Sequence, residues 1–172
     1  TDFLYAKAMN KTVKLLAQSK EVDGKYYAMV SPFLIGKDHP LAMVNDVFNA
    51  VFVHGNMLGD SMYYGKGAGK LPTASAVVSD VVDCARHIGK TIMCFWDDER
   101  VTLTGIEEAS RKFFVRVAAD KEKEAIAAFE SMAVVEADVP GEFAFITDVM
   151  TEKEFNEKAE KVGIISRIRV EA

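Results

Sequence analysis

From Phe113 to Val170 the hydrophobic period switches repeatedly between strand and helix, and few folds accommodate the order in which it does so. Phe113, Val115 and Val117 alternate as one face of a strand. Ala125, Ile126, Phe129 and Met132 then recur at helical spacing. Val134–Val139 and Glu142–Thr147 suit strands on either side of Pro140-Gly141. Phe155, Ala159 and Val162 mark a second helix, and Ile164, Ile168 and Val170 a closing strand. Periods of two, 3.6, two, two, 3.6 and two predict a compact βαββαβ unit over residues 111–172, an α+β sandwich of the ferredoxin-like kind. The edges of so small a sheet pair readily, so such a unit is expected to contribute a subunit contact.

Upstream the pattern is different. Residues 2–10 read as a short helix. From Thr12, Val13, Leu15 and Ala17 alternate with polar neighbours, Val22-Asp23-Gly24-Lys25 supplies a tight turn, and Tyr26–Leu34 returns as a strand. A second hairpin is expected from Ala50–Val53 and Ser61–Tyr64, around the turn-like clusters His54-Gly55-Asn56 and Gly59-Asp60. A helix from Pro72 to Arg86 follows, with Ala74, Val77, Val78, Val81, Val82 and Ala85 on a single face. That helix is expected to cover one face of an antiparallel or mixed sheet. From Gly89 to Arg111 periodicity fades around the acidic Asp97-Asp98-Glu99. The chain is therefore read as residues 1–90, a linker over 91–110, and the 111–172 unit.

Composition narrows the functional classes. A net charge of -5 over 172 residues argues against a general nucleic-acid surface, since phosphate binding needs clustered Lys and Arg. No run of about 18 apolar residues is present, so no membrane span is expected. The two cysteines, Cys84 and Cys94, and the scattered His39, His54 and His87 form no metal-ligand spacing, and a reduced, cytoplasmic setting without a structural metal is the expectation. The opening Thr1-Asp2-Phe3-Leu4-Tyr5 has no signal-peptide build and suggests a parent polypeptide extending further upstream.

The segment with the most chemical content is Gly65-Lys66-Gly67-Ala68-Gly69, set between a strand and a helix. Glycines let backbone approach a phosphate, and free N–H groups at a helix start favour an anion. The third glycine comes one residue early for the dinucleotide fingerprint. Pattern alone leaves two readings open, a phosphate cradle or a tight turn that packs the helix closely.

Four segments, in order and with matching gaps, decide the resemblance: His39-Pro40-Leu41-Ala42, Asn49-Ala50-Val51, Tyr63-Tyr64-Gly65-Lys66-Gly67-Ala68-Gly69, and Pro72-Thr73-Ala74-Ser75-Ala76-Val77-Val78. Together they closely resemble the carboxy-terminal half of the homoserine dehydrogenase catalytic domain, and the Val13-Lys14-Leu15-Leu16-Ala17 strand resembles it too. The resemblance covers about the first 90 residues well and the rest loosely. It implies NAD(P)-dependent interconversion of L-aspartate 4-semialdehyde and L-homoserine, on the route to threonine and methionine. It implies that the amino-terminal Rossmann domain, the proton-shuttling lysine and the substrate carboxylates lie upstream, so that no catalytic residue is expected in this chain. NADP or NAD is expected in the full-length parent, with none bound to the fragment. Gly69 resembles the position that contacts the nicotinamide nucleotide, with Gly67 and Ala68 as its neighbours. For His39 two readings stand, tuning of the site or subunit interface, or a hydrogen bond within the fold.

Arg111-Lys112-Phe113-Phe114-Val115-Arg116-Val117 resembles the opening strand of an ACT domain, the βαββαβ amino-acid-binding module that ends many homoserine dehydrogenases. The family's Asp-x-Pro-Gly is replaced here by Asp120-Lys121-Glu122-Lys123. An amino-acid effector site built differently and a ligand-free module that forms a homo-oligomer, most simply a dimer, are both compatible with that change. Glu152–Glu160 reads as a solvated helix face. The rival to the enzyme-fragment reading is a stand-alone amino-acid-sensing or dimerisation protein without catalysis.

Overall fold

The computed structural model describes residues 1–91 and 95–171; Cys94 lies outside them. Contacts divide the chain into two compact units, Thr1–Asp38 with Val101–Ala172, and His39–Arg100.

The first unit is a sheet covered on both faces around β5, with the turn half of its amino-terminal hairpin exposed. A short helix, α1 (Asp2–Ala8), leads into β1 (Lys11–Val22) and β2 (Lys25–Gly36). These two form an antiparallel hairpin closed by Asp23 (φ 51°) and Gly24 (φ 74°). Two successive positive φ angles make the turn whose twist matches that of paired strands, which is why Asp-Gly stands there. The register runs without a slip from Lys11↔Gly36 to Val22↔Lys25.

After residue 101 come β5 (Ser110–Ala118), α3 (Glu122–Phe129), β6 (Met132–Val134), β7 (Glu142–Thr147), the two-residue β8 (Met150–Thr151), α4 (Glu152–Val162) and β9 (Ser166–Val170). The strand order is β1-β2-β9-β5-β7-β6, with β8 beside β5. Within it β9-β5-β7-β6 are antiparallel neighbours. β2 then joins β9 in parallel through Phe33↔Arg169 and Leu34↔Val170. The amino-terminal hairpin thus shares its sheet with the last strand, a grouping that local periodicity does not announce.

β5 explains why the sheet is dry on both sides. Phe113, Val115 and Val117 point to the face covered by α3 and α4, where they pack with Ala125, Phe129, Phe155, Ala159 and Val162. Phe114 points the other way, into a second cluster with Tyr5, Ala6, Leu34, Ala144 and Ile168. Period-two alternation sends successive side chains to opposite faces, and here both are apolar. Each fully buried Phe or Val contributes on the order of 1.5–3 kcal/mol.

Two differences from the sequence patterns have local causes. α3 stops at Phe129 because Glu130 turns to φ 55°, so Met132 opens β6 instead of extending the helix. The second strand is correspondingly early and short, with Val135 N–H reaching Ala144 at 2.8 Å as the last link to β7. Glu152 corrects the reading of Glu152–Glu160 as a solvated face. It is 2% exposed, because Arg169 of β9 reaches it from the sheet. Glu154, by contrast, is exposed and closes a capping box with Thr151.

The second unit contains the antiparallel pair β3 (Phe48–Gly55) and β4 (Gly59–Lys66), followed by α2 (Lys70–Arg86). The strands are longer than the sequence clusters suggested. His54 and Asp60 lie inside the ladder as register partners rather than in turns.

Candidate functional site

The glycine loop lies within the second unit, where β4 ends and α2 begins. β3 and β4 are in register from Gly55↔Gly59 to Phe48↔Lys66. The chain leaves that ladder at Lys66, passes Gly67 and Ala68, and enters the helix through Gly69, its N-cap. Phe48 stacks on Tyr64 with ring centroids 4.8 Å apart, and the Lys66 ammonium lies 5.6 Å from the Phe48 centroid. The strand end is thereby held before the backbone turns.

Each glycine has a separate requirement. Gly69 sits at φ 118°, ψ 149°, a region essentially closed to residues with a Cβ. A Cβ there would also stand 3.4 Å from Pro72 Cδ. Gly67 has no such angle, but a Cβ on it would meet the Asn49 side chain, 3.1 Å from Cγ and closer still to Nδ2. The loop therefore lies directly against β3 at Asn49.

The helix start is open. Gly69 offers no side chain to cap the first turn, and Pro72 has no N–H. Thr73 N–H donates back to Gly69 O at 3.1 Å, and Thr73 Oγ1 does so at 2.9 Å. Of the first-turn amides, those of Lys70 and Leu71 are left without an intrahelical acceptor. The helix itself begins two residues before Pro72, which sits inside its first turn.

α2 departs from expectation in its surroundings. Its valine face was expected to lie on a sheet, yet no residue of the helix is buried. Val77, Val78 and Val81 are 57%, 60% and 62% exposed. Cys84, on the same helix, is an exposed free thiol.

His39 makes a hydrogen bond within the fold. It caps a 3-10 turn, Pro40–Met43, with Nδ1 accepting from Leu41 N–H at 3.1 Å. His54 Nδ1 and Asp60 Oδ1 are 2.5 Å apart across the hairpin, both well exposed, so the pair contributes little. Among the described residues no three His, Cys, Asp or Glu side chains converge as metal ligands. No helix of these residues is long and apolar enough to cross a membrane.

The polar clusters that periodicity missed are in the first unit. Arg116 donates to Asp2 at 2.7 Å and to both Glu142 oxygens at 2.7 and 2.6 Å. Burial opposes its charge, but Glu142 and Asp2 outweigh that and raise its pKa. Tyr5, beside this group, has its pKa raised by burial first and by Glu142 second. Arg169 binds Glu152 through two 2.6 Å hydrogen bonds and reaches Ser31 Oγ at 2.7 Å. The one sequence signal for these pairs was charge at alternate positions of an otherwise apolar strand, at Arg116 and again at Arg167 and Arg169.

The loop lies within the stretch of the chain that matches known proteins. The family model for homoserine dehydrogenase matches residues 1–82. The homoserine dehydrogenase of Lactococcus lactis is 46% identical over 82 residues, 48% of this chain and 19% of its own length. That of Synechocystis is 50% identical over 86 residues, or 48% and 20%. That of Helicobacter pylori is 34% identical over 122 residues, or 71% and 29%. The chain thus spans about a fifth of the length of the first two. Among solved structures, a homoserine dehydrogenase from Thiobacillus denitrificans superposes with a TM-score of 0.75 at 29% identity, covering 97% of this chain and 44% of that one. The Staphylococcus aureus enzyme gives 0.67 at 28% identity, with 97% and 43% covered. By sequence over residues 1–82, and by fold over nearly its whole length, the chain is homologous to a part of homoserine dehydrogenase.

Proposed function

We propose that this chain is the part of an NAD(P)-dependent homoserine dehydrogenase that presents the glycine loop to the cofactor, and that it is inactive alone. The reaction is the interconversion of L-homoserine and L-aspartate 4-semialdehyde, on the route to threonine and methionine in the cytoplasm. The cofactor, when bound, supplies the hydride. This chain contributes backbone. The observation that carries the reading is Gly69, whose φ of 118° excludes a side chain where the loop turns into α2. Gly67, Ala68 and Gly69 form a strip without bulk, and the uncapped first-turn amides of Lys70 and Leu71 suit an anionic nucleotide. No residue of the chain is assigned to proton transfer, a task given to the upstream domain.

The exposed valine face of α2 supports a partner for this unit. Burying it against the rest of the enzyme would contribute roughly 1.5–3 kcal/mol per valine. By ancestry we divide the chain into a catalytic-domain segment, 1–90, and a terminal module, 111–172. The strand order β9-β5-β7-β6 supports reading that module as ACT-like. Asp120-Lys121-Glu122-Lys123 stands where the effector loop would be, and the Lys121–Glu124 pair at 3.0 Å occupies its start. We assign the module to dimer formation. A stand-alone sensing module is disfavoured, because residues 1–82 match a catalytic family.

The test is a chimera in which residues 1–82 replace the matching segment of the Lactococcus lactis enzyme. It is expected to reduce aspartate semialdehyde, while the 172-residue chain alone is not. In the chimera, Ala68→Val adds bulk without demanding an unusual φ, and the cofactor Michaelis constant is expected to rise about tenfold, roughly 1.4 kcal/mol. An unchanged constant would remove the loop from the cofactor site.

A further inference from the structure

A cleft of about 520 Å³ opens in the first unit, between the turn end of the β1–β2 hairpin and the residues that enter β5. That size is within the range of small-molecule sites. Apolar side chains contribute much of its wall, among them Val22, Tyr27, Ile106 and Val149. The charged residues around them are mostly paired with one another. Lys25 donates to Glu108 at 2.6 Å. Glu171 accepts from Gln18 at 2.9 Å and is in contact with Lys20.

Arg111 is different. It lines the cleft, and its side chain is only 12% exposed. Its Nε is buried without a hydrogen-bond acceptor. The nearest carboxylate oxygen, Glu152 Oε1, is 3.4 Å away. Both oxygens of that carboxylate already accept from Arg169 at 2.6 Å. Two guanidinium groups thus share one anion, and Arg169 has the better geometry. The Phe33 ring, 5.6 Å from the Arg111 guanidinium carbon, offers its face but no acceptor. Burial lowers the Arg111 pKa, and Arg169 adds to that against the opposing pull of Glu152. A buried guanidinium with an unmade hydrogen bond is costly, and a carboxylate matches its planar fork.

We propose that this cleft is a binding site for a small carboxylate with an apolar body, whose carboxylate is taken by Arg111. The wall chemistry selects the rest of the ligand. Val22, Tyr27, Ile106 and Val149 accept a branched or ring-shaped apolar group. A dianion such as phosphate has no apolar body to bury against these walls. The site is distinct from the turn between β5 and α3. Arg111 and Ala118 are at opposite ends of the strand, about 23 Å apart at roughly 3.3 Å per residue. The glycine loop belongs to the other unit.

The experiment is a titration of the ¹⁵N-labelled 172-residue chain with 4-methylpentanoate, L-leucine and inorganic phosphate, followed by amide shifts. Saturable shifts with 4-methylpentanoate at Tyr27, Ser110–Lys112 and Glu171 are expected, with phosphate at least about tenfold weaker. Leucine separates the two sources of such a carboxylate. Equal affinity would identify an amino acid as ligand, and weaker affinity a simple carboxylic acid. Arg111→Met keeps an unbranched apolar stem and removes an under-compensated charge, so the fold is expected to persist while affinity falls about tenfold or more. Absence of saturable shifts up to about 10 mM would overturn the proposal, as would shifts confined to residues 119–123. An Arg111→Met chain that binds as well as the parent would do the same. Should that variant not fold, the map on the parent chain still decides.

Discussion

Glu152→Gln isolates the electrostatic debt of the sheet's buried charges. Gln has nearly the same volume, so packing is preserved and only the anion is lost. Glu152 is 2% exposed, and the two arginines around it have side-chain exposures of 16% for Arg169 and 12% for Arg111. Removing the shared carboxylate charge leaves two cations together in a site that water scarcely reaches. Breaking a buried pair in this way typically costs 3–5 kcal/mol, most of it the penalty on the charge left behind. Against a whole-domain stability of about 5–15 kcal/mol, that is a large fraction. The assay is urea unfolding followed by far-ultraviolet circular dichroism, because the lone tryptophan, Trp96, is 92% exposed and does not report on the core. Glu157→Gln, on the exposed side of the same helix, is the control and is expected to stay within about 0.5 kcal/mol. If the two variants unfold at the same urea concentration with equal slopes, the Glu152 carboxylate does not offset the charges of Arg169 and Arg111.

Two further outcomes follow from the helix starts. Gly69→Ala forces a Cβ onto φ 118°, a strain of about 1–3 kcal/mol, and is expected to speed hydrogen exchange at Thr73 N–H, which donates to Gly69 O; an unchanged rate would mean the loop relaxes freely. Glu154 has its pKa lowered by the Thr151 backbone N–H and then by the Thr151 hydroxyl, so its contribution to folding is fully present above the ordinary value of 4.5 and fades as pH falls through the lower native value; Glu154→Gln, which removes the titrating carboxylate, should flatten that acid dependence in urea midpoints, and an identical profile would exclude the cap as its source.

How much of this was legible in the sequence varies by element, for physical reasons. Asp23-Gly24 fixed its hairpin to the residue because only one turn type suits two positive φ angles between strands. The alternating faces of β5 and the 3.6 spacing of Phe155, Ala159 and Val162 announced the βαββαβ order. The glycine loop was located with both its flanks, although Asn49, the neighbour that gives Gly67 its reason, lies 18 positions earlier on β3. Distance along the chain hid the rest. The pairing of β2 with β9, the Asp2–Arg116–Glu142 group and the burial of Glu152 all depend on residues brought together from separate segments. The valines of α2 were read as one face, but periodicity does not say what covers a face, and among the described residues the helix buries none of its own.

The parallel pairing of β2 with β9 has a kinetic consequence. Phe33 and Arg169 are partners 136 positions apart, and closing so long a loop costs about 4 kcal/mol of chain entropy before any contact repays it. The β1–β2 hairpin, being local, can form within microseconds of leaving the ribosome. Its inner edge, with Phe33, Leu34 and Ile35, must then wait for the remainder to be synthesised, about ten seconds at ordinary elongation rates. During that interval an apolar strand edge is open to any other nascent chain. The same topology that makes the finished sheet continuous therefore makes its birth the period of greatest risk of aggregation.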